Sequence, residues 1–186
     1  MANDKHSNEP PNSGYQPAET GSTGKNMMII AWVIAISLAT WMFAGIEERQ
    51  INPNSNPSSV FDGQSATVVL EQNKYGHYVT SGIVNNKPVV FMLDTGATDV
   101  AIPRALERYL NLQRGYPFTV HTANGSATAY STEIDFLQIG DIVLKDVKAS
   151  ISPTMEGKDI LLGMAALKQL EFRQKGKRLT LIQDNR

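Results

Sequence analysis

Hydrophobic residues follow two different patterns along this chain. From Met27 to Gly45 the sequence reads MMIIAWVIAISLATWMFAG, with no charge anywhere between Asn26 and Ile46. A stretch apolar on every side has no face to turn to water, and a helix of about 20 residues crosses a hydrocarbon layer of about 30 Å. A single membrane-spanning helix is therefore expected over 26–46. Trp41 sits near one end of the run, where an interfacial ring is at home. A signal peptide has the same character, but it begins nearer the N-terminus and its apolar region is shorter. A buried soluble helix is the other competing reading.

Beyond residue 62 the apolar positions become short and periodic. Ala66–Glu71 and His77–Val84 are rich in β-formers, and Val89–Leu93 is a short apolar run of the kind that forms a buried strand. Asn85-Asn86 lies between two such runs, and a two-residue turn at positive φ suits Asn. Pro103 is placed to open a short helix through Leu110. Phe118–Thr132 reads FTVHTANGSATAYST, a hairpin pattern centred on Asn124-Gly125. Further strands are expected at Ile134–Ile139 and Ile142–Ile151. ILLGMAALKQL, residues 160–170, reads as a buried strand turning through Gly163 into a short helix, and Glu171–Ile182 as a hairpin around Lys175-Gly176. Many short strands with two short helices predict a mostly-β, closed or sandwiched domain. The segments divide as a disordered tail over 1–25, the membrane helix over 26–46, a linker rich in Pro, Asn and Ser over 47–62, and a folded domain over 63–186.

Composition changes this picture mainly by exclusion. The 186 residues carry a net charge of −1, so no electrostatic argument favours a nucleic-acid partner. There is no cysteine, which removes disulfides, thiolate nucleophiles and cysteine zinc sites. His6, His77 and His121 have no metal-ligand spacing, and no cofactor motif is present. Arg173, Lys175, Lys177 and Arg178 read as a solvated hairpin, with contact to anionic headgroups as the alternative that a membrane anchor raises.

The candidate chemistry lies in Phe91-Met92-Leu93-Asp94-Thr95-Gly96-Ala97-Thr98. A carboxylate directly follows an apolar strand, where an unpaired charge is costly. Thr95 supplies a hydroxyl, and Gly96 lets the backbone turn tightly and bring an N–H to the carboxylate. An acid held in this way is a candidate for acid–base work; an ordinary Asx turn is the bland alternative.

FMLDTGAT resembles the active-site segment of the aspartic proteases, and its Asp-Thr-Gly-Ala form resembles the retropepsins. The Asn124-Gly125 hairpin resembles their flap, Ile160-Leu161-Leu162-Gly163-Met164 resembles the apolar-apolar-Gly segment before their late helix, and the folded region has the size of one retropepsin subunit. More narrowly, the chain is similar to bacterial membrane-anchored retropepsin-like proteins with one helix ahead of the protease domain. The resemblance implies a retropepsin-like closed β-barrel and hydrolysis of peptide or protein substrates without metal or cofactor. Two carboxylates about 3 Å apart do not both ionise easily, so one acts as base on a water while the other, protonated, bonds the scissile carbonyl. One Asp-Thr-Gly per chain then implies a homodimer, with Asp94 contributed by both subunits. Thr95 would link the two active-site loops, Gly96 and Ala97 would complete the loop, and Thr122, Ala123, Asn124 and Gly125 would form the flap tip. Leu162 and Gly163 would pack beneath the loop. Lys5 and Lys25 precede the membrane helix, whereas Arg49 follows it beside Glu47 and Glu48. That bias favours a cytoplasmic tail and a periplasmic domain on a single-pass inner-membrane protein. A retropepsin-like fold used only for binding or assembly is the alternative function.

Overall fold

The apolar run forms helix α1 (Ser22–Ile51) in the structure, a computed structural model that describes residues 22–122 and 125–184. The tail expected over 1–21 lies outside the described residues, and residues 22–25, read as part of it, begin the helix instead. The Gly24–Ile51 segment is long and apolar enough to cross a membrane, its most apolar 18-residue window having a mean hydropathy of 2.2. Its hydroxyls are satisfied locally. Ser37 Oγ donates to the Val33 carbonyl at 2.7 Å and Thr40 Oγ1 to that of Ile36 at 2.8 Å. Neither therefore leaves an unpaired polar group in an apolar surround.

The chain divides into two units between Phe43 and Ala44. The second is built from strands. β1 (Ser58–Phe61), β2 (Ser65–Glu71), β3 (Val79–Val84), β4 (Lys87–Leu93) and β5 (Val100–Pro103) come first. β6 (Pro117–Thr122), β7 (Gly125–Ile139), β8 (Ile142–Ser152) and β9 (Asp159–Leu162) precede helix α2 (Met164–Leu167). β10 (Glu171–Lys175) and β11 (Arg178–Asp184) close the chain's described part.

A larger sheet runs in the order β3-β4-β9-β5-β8-β7-β6, and β3 also pairs with β7 through Ile83↔Gln138 and Val84↔Leu137. That second pairing closes a barrel of β3, β4, β9, β5, β8 and β7, which removes their free edges. β6 hangs from β7 outside the closure. Gly82 lies at the crossing of β3 over β4 and β7. A Cβ there would stand 2.4 Å from the Gln138 carbonyl and 2.6 Å from the Phe91 ring, so only glycine fits. A smaller sheet, β1-β2-β11-β10, packs its inner face (Ala66, Val68, Leu70, Leu179, Leu181) into the same core as the barrel residues. Gln183 of β11 joins the two sheets by accepting from Val143 N–H at 2.9 Å and donating to the Val143 carbonyl.

Several local expectations hold. Asn85 and Asn86 have φ of 47° and 63°, the double left-handed turn that a tight hairpin with right-handed twist requires. Others are corrected. The helix expected from Pro103 to Leu110 is a single 3-10 turn, Arg104–Leu106, continued by irregular turns. The linker expected over 47–62 belongs to α1 up to Ile51 and to the second unit thereafter. Asn54 is buried, its side chain donating to the Glu71 and Val79 carbonyls at 2.9 and 2.7 Å and accepting from Glu71 N–H at 2.7 Å. β1 then pairs with β2 along four residues. Polar composition misleads here because Asn carries both a donor and an acceptor and can satisfy the ends of two strands at once.

Candidate active site

Val89 and Phe91 bury the inner face of β4, and the strand delivers the chain to Asp94 at its end. β9 runs parallel beside it, with Leu93 opposite Leu162. This neighbour fixes the loop. Asp94 N–H donates to the Leu162 carbonyl at 3.1 Å, Met164 N–H to that of Ala97 at 2.8 Å, and Ala165 N–H to that of Thr98 at 2.8 Å. The loop is thus tied at its first residue to β9 and at its last residues to the start of α2. Gly163 sits between these ties. A Cβ there would lie 2.2 Å from the Asp99 carbonyl oxygen and 2.7 Å from that of Ala97, closer than any side chain tolerates. Leu162 beside it is fully buried.

Within the loop Gly96 N–H donates to Asp94 Oδ1 at 2.8 Å, and Ala97 N–H to the Asp94 carbonyl at 3.2 Å. The first bond orients the carboxylate and leaves Oδ2 without a partner among the described residues. Asp94 and Ala97 are half-buried, whereas Thr95 and Gly96 are exposed. A carboxylate with one oxygen fixed by the backbone and the other open is suited to bind a water or share a proton.

The expected flap is the β6–β7 hairpin, paired from Pro117↔Tyr130 to Thr122↔Gly125. Thr122 and Gly125 flank its tip; Ala123 and Asn124 lie outside the described residues. Thr122 Oγ1 donates to the Gly125 carbonyl at 2.9 Å, and His121 Nδ1 lies 3.0 Å from Ser126 Oγ directly across the ladder. The inward side of the hairpin carries Phe118, Val120, Ala127 and Ala129 in facing pairs.

The clamp at the hairpin's base has no signature in the sequence. Arg114 Nε donates to Glu107 Oε1 at 2.7 Å and Nη2 to Oε2 at 2.5 Å, a two-pronged pair. The guanidinium also stacks 4.7 Å from the Tyr130 ring centroid. Hydrogen bonding to Glu107 raises the pKa of Arg114 above its ordinary value. Gly115 N–H donates to the Ser131 carbonyl at 2.7 Å, Ser131 N–H to that of Tyr116 at 3.0 Å, and Thr132 Oγ1 to that of Gln113 at 2.8 Å. No local motif joins 107, 114 and 130, so only the fold brings them together.

Two surface clefts, of about 460 and 450 Å³, open around Arg104–Arg108 rather than at Asp94.

Residues 80–169 match the family model described as "gag-polyprotein putative aspartyl protease". The chain is 31% identical over 110 residues to an uncharacterized Sinorhizobium protein from the cobV 5′ region, covering 58% of this chain and 47% of that one. It is 29% identical over 119 residues to an uncharacterized Rickettsia prowazekii protein, covering 62% and 50%. The chain thus spans about half the length of the curated relatives it matches. Among solved structures it is similar to a retropepsin-like aspartic protease from Rickettsia conorii, with 26% identity and a TM-score of 0.57, over 69% of this chain and 96% of that one. Barrel, Asp-Thr-Gly loop and these likenesses all point to the retropepsin-like aspartic protease family.

Proposed function

We propose that this chain is a membrane-anchored aspartic endopeptidase that acts as a homodimer, hydrolysing peptide bonds with a water held between the Asp94 carboxylates of two copies. The observation that carries this reading is the Asp94 loop: Oδ1 is fixed by the Gly96 N–H while Oδ2 is open, and the loop is braced by β9 and α2. Two such loops facing across a two-fold axis supply one ionised and one protonated carboxyl. The ionised group takes a proton from water as the oxygen attacks the scissile carbon. The protonated group donates to the carbonyl oxygen, which becomes the second hydroxyl of a tetrahedral diol. Proton transfer to the amide nitrogen then breaks the C–N bond and returns one proton to the pair. Thr95, exposed at the loop, bonds its counterpart in such a dimer. The flap tip around Thr122–Gly125 closes over substrate and excludes water.

α1 serves as the single-pass anchor, and the charge bias around it supports a periplasmic domain on the bacterial inner membrane. Confinement to a plane raises the effective concentration of subunits, so a weak dimer suffices.

The test is Asp94→Asn in the full-length chain reconstituted in bilayers and assayed with a peptide library. Cleavage is expected to fall by at least about 10³-fold with unchanged thermal unfolding. Full activity of the variant rejects the assignment.

One observation favours a second reading, a binding or assembly module without turnover. From Arg178 to Ile182 β11 is hydrogen-bonded along both edges, to β10 and to β2, within the subunit. Among the described residues only Gln183 and Asp184 keep a free edge for a partner's end, so a dimer must draw mostly on other surfaces. Cleavage blocked by a statine-type inhibitor excludes this reading. A chain that stays monomeric in bilayers at every density favours it.

A further inference from the structure

The end of α1 and the cationic β10–β11 turn come together on one side of the second unit. The Ile51 carbonyl accepts from Asn73 Nδ2 at 3.0 Å, and the Gln50 carbonyl accepts from Lys74 N–H at 3.4 Å. Next in sequence, Gln72 N–H donates to the Lys177 carbonyl at 2.9 Å, which holds the turn against the same loop. Around this point Lys74, Tyr75, Gly76 and His77 are exposed, as is every residue from Glu171 to Arg178. The charged groups are unequal. Glu71 and Glu171 are engaged by Arg178 at 2.6 Å and Arg173 at 2.7 Å, while the exposed Glu47 and Glu48 flank Arg49 in the last turns of α1. Among the described residues Lys175 and Lys177 have no acidic partner, and Lys74 reaches only the neutral Gln50 side chain and the Tyr75 ring. Tyr75 is 63% exposed. An exposed tyrosine beside unpaired lysines is the composition of a surface that meets a membrane interface.

Chain length says what this face meets. Ile51, which is tied to the 72–76 loop, lies only five residues beyond Ile46, the last of the uncharged run. Fully extended, they span at most about 17 Å. If Asn26–Ile46 occupies the bilayer, the loop and the turn cannot lie farther from the membrane surface than that plus their own width. Asn52 and Asn54 are built into the unit, so no slack follows.

We infer that the face formed by Lys74, Tyr75, Lys175 and Lys177 docks on anionic lipid headgroups and holds the protease domain in one orientation on the membrane. The inference rests on α1 being an anchor. The occupant is a lipid surface, because the same short tether that brings the face to the bilayer leaves little room for a folded partner between them.

Hydrogen exchange of the full-length chain in nanodiscs tests it, comparing phosphatidylcholine alone with phosphatidylcholine containing phosphatidylglycerol. Exchange in 72–77 and 171–178 is expected to slow in the anionic discs and to recover in high salt. Each lysine replaced by glutamine lowers the docked-to-free ratio by about fivefold, so Lys74→Gln, Lys175→Gln and Lys177→Gln together abolish the difference. Unchanged exchange in the barrel strands reports that the variant is folded. Equal exchange in neutral and anionic discs, or a difference that survives the three substitutions, overturns the inference while leaving the anchor in place. A chain that does not float with lipid vesicles at all overturns the anchor, and the inference with it.

Discussion

The active-site loop and the flap hairpin are both short excursions from one barrel, yet they are held in opposite ways. The loop is braced along its length. β9 takes the Asp94 N–H, α2 donates to the Ala97 and Thr98 carbonyls, and Gly163 lets the two backbones meet. The hairpin is held at its base by the Arg114–Glu107 pair and the 113–116 crossing, while its outer half carries mostly small or exposed residues. A charge-bearing group needs a fixed position, because a displacement of about 1 Å costs up to about 10²-fold in rate. On the proposed function the hairpin is a cover, and a cover needs to open, so its stability belongs where it turns rather than where it would touch substrate.

The contrast breaks most readily at Gly163. Gly163→Ala puts a methyl group against the Asp99 and Ala97 carbonyl oxygens and pushes the loop off β9. Overpacking of this kind costs about 1–3 kcal/mol, and a lower urea midpoint together with a large loss of kcat measures it. A fully active, fully stable variant would show that the brace is dispensable. A smaller effect is expected at the hinge. Arg114→Met releases the guanidinium from Glu107 and Tyr130, and kcat/KM is expected to fall by about tenfold, below the about 10²-fold of a misplaced catalytic group. Thermal unfolding should move little, since the pair is near the surface; a large drop in Tm would make the clamp a stability element instead. Far from both regions, Asp62 supplies the smallest effect. Backbone N–H groups of Ser65 and Gln64 hold its carboxyl below the usual range. A lowered folded pKa stabilises above the ordinary carboxylate value, and that stability is lost as pH falls through the folded value. Asp62→Asn should therefore lower stability slightly at neutral pH, change little at the acid end, flatten the curve between them and leave activity alone, as urea midpoints taken across roughly the range where carboxylates titrate, about pH 3 to pH 7, would record.

Reading the sequence succeeded where one residue type dictates local geometry. Asn85-Asn86 required a left-handed pair and the apolar run before Asp94 required a buried strand, and the structure contains both. It failed where the cause is distant. β5 is four residues long and follows the active-site loop at once, and its pairing with β8 and β9 gives no periodic trace. β7 runs unbroken for 15 residues from the flap into the barrel, although its first half is too small and polar to read as the same strand as its second. The Asp94–Gly96 bond was legible because both groups sit in one turn; the Glu107–Arg114–Tyr130 clamp was not, because its members meet only after the hairpin has folded back.

Asn54 sets where this protein can be cut. Its side chain closes the exposed ends of β2 and β3, so a fragment beginning at residue 63 loses β1 and strands the Glu71 N–H and the Val79 carbonyl, at about 1–3 kcal/mol for each buried group left unpaired. A fragment beginning at Asn52 keeps every one of those bonds. Release from the bilayer by proteolysis is thus compatible with an intact domain only when the scissile bond lies upstream of Asn52, within the last turns of α1.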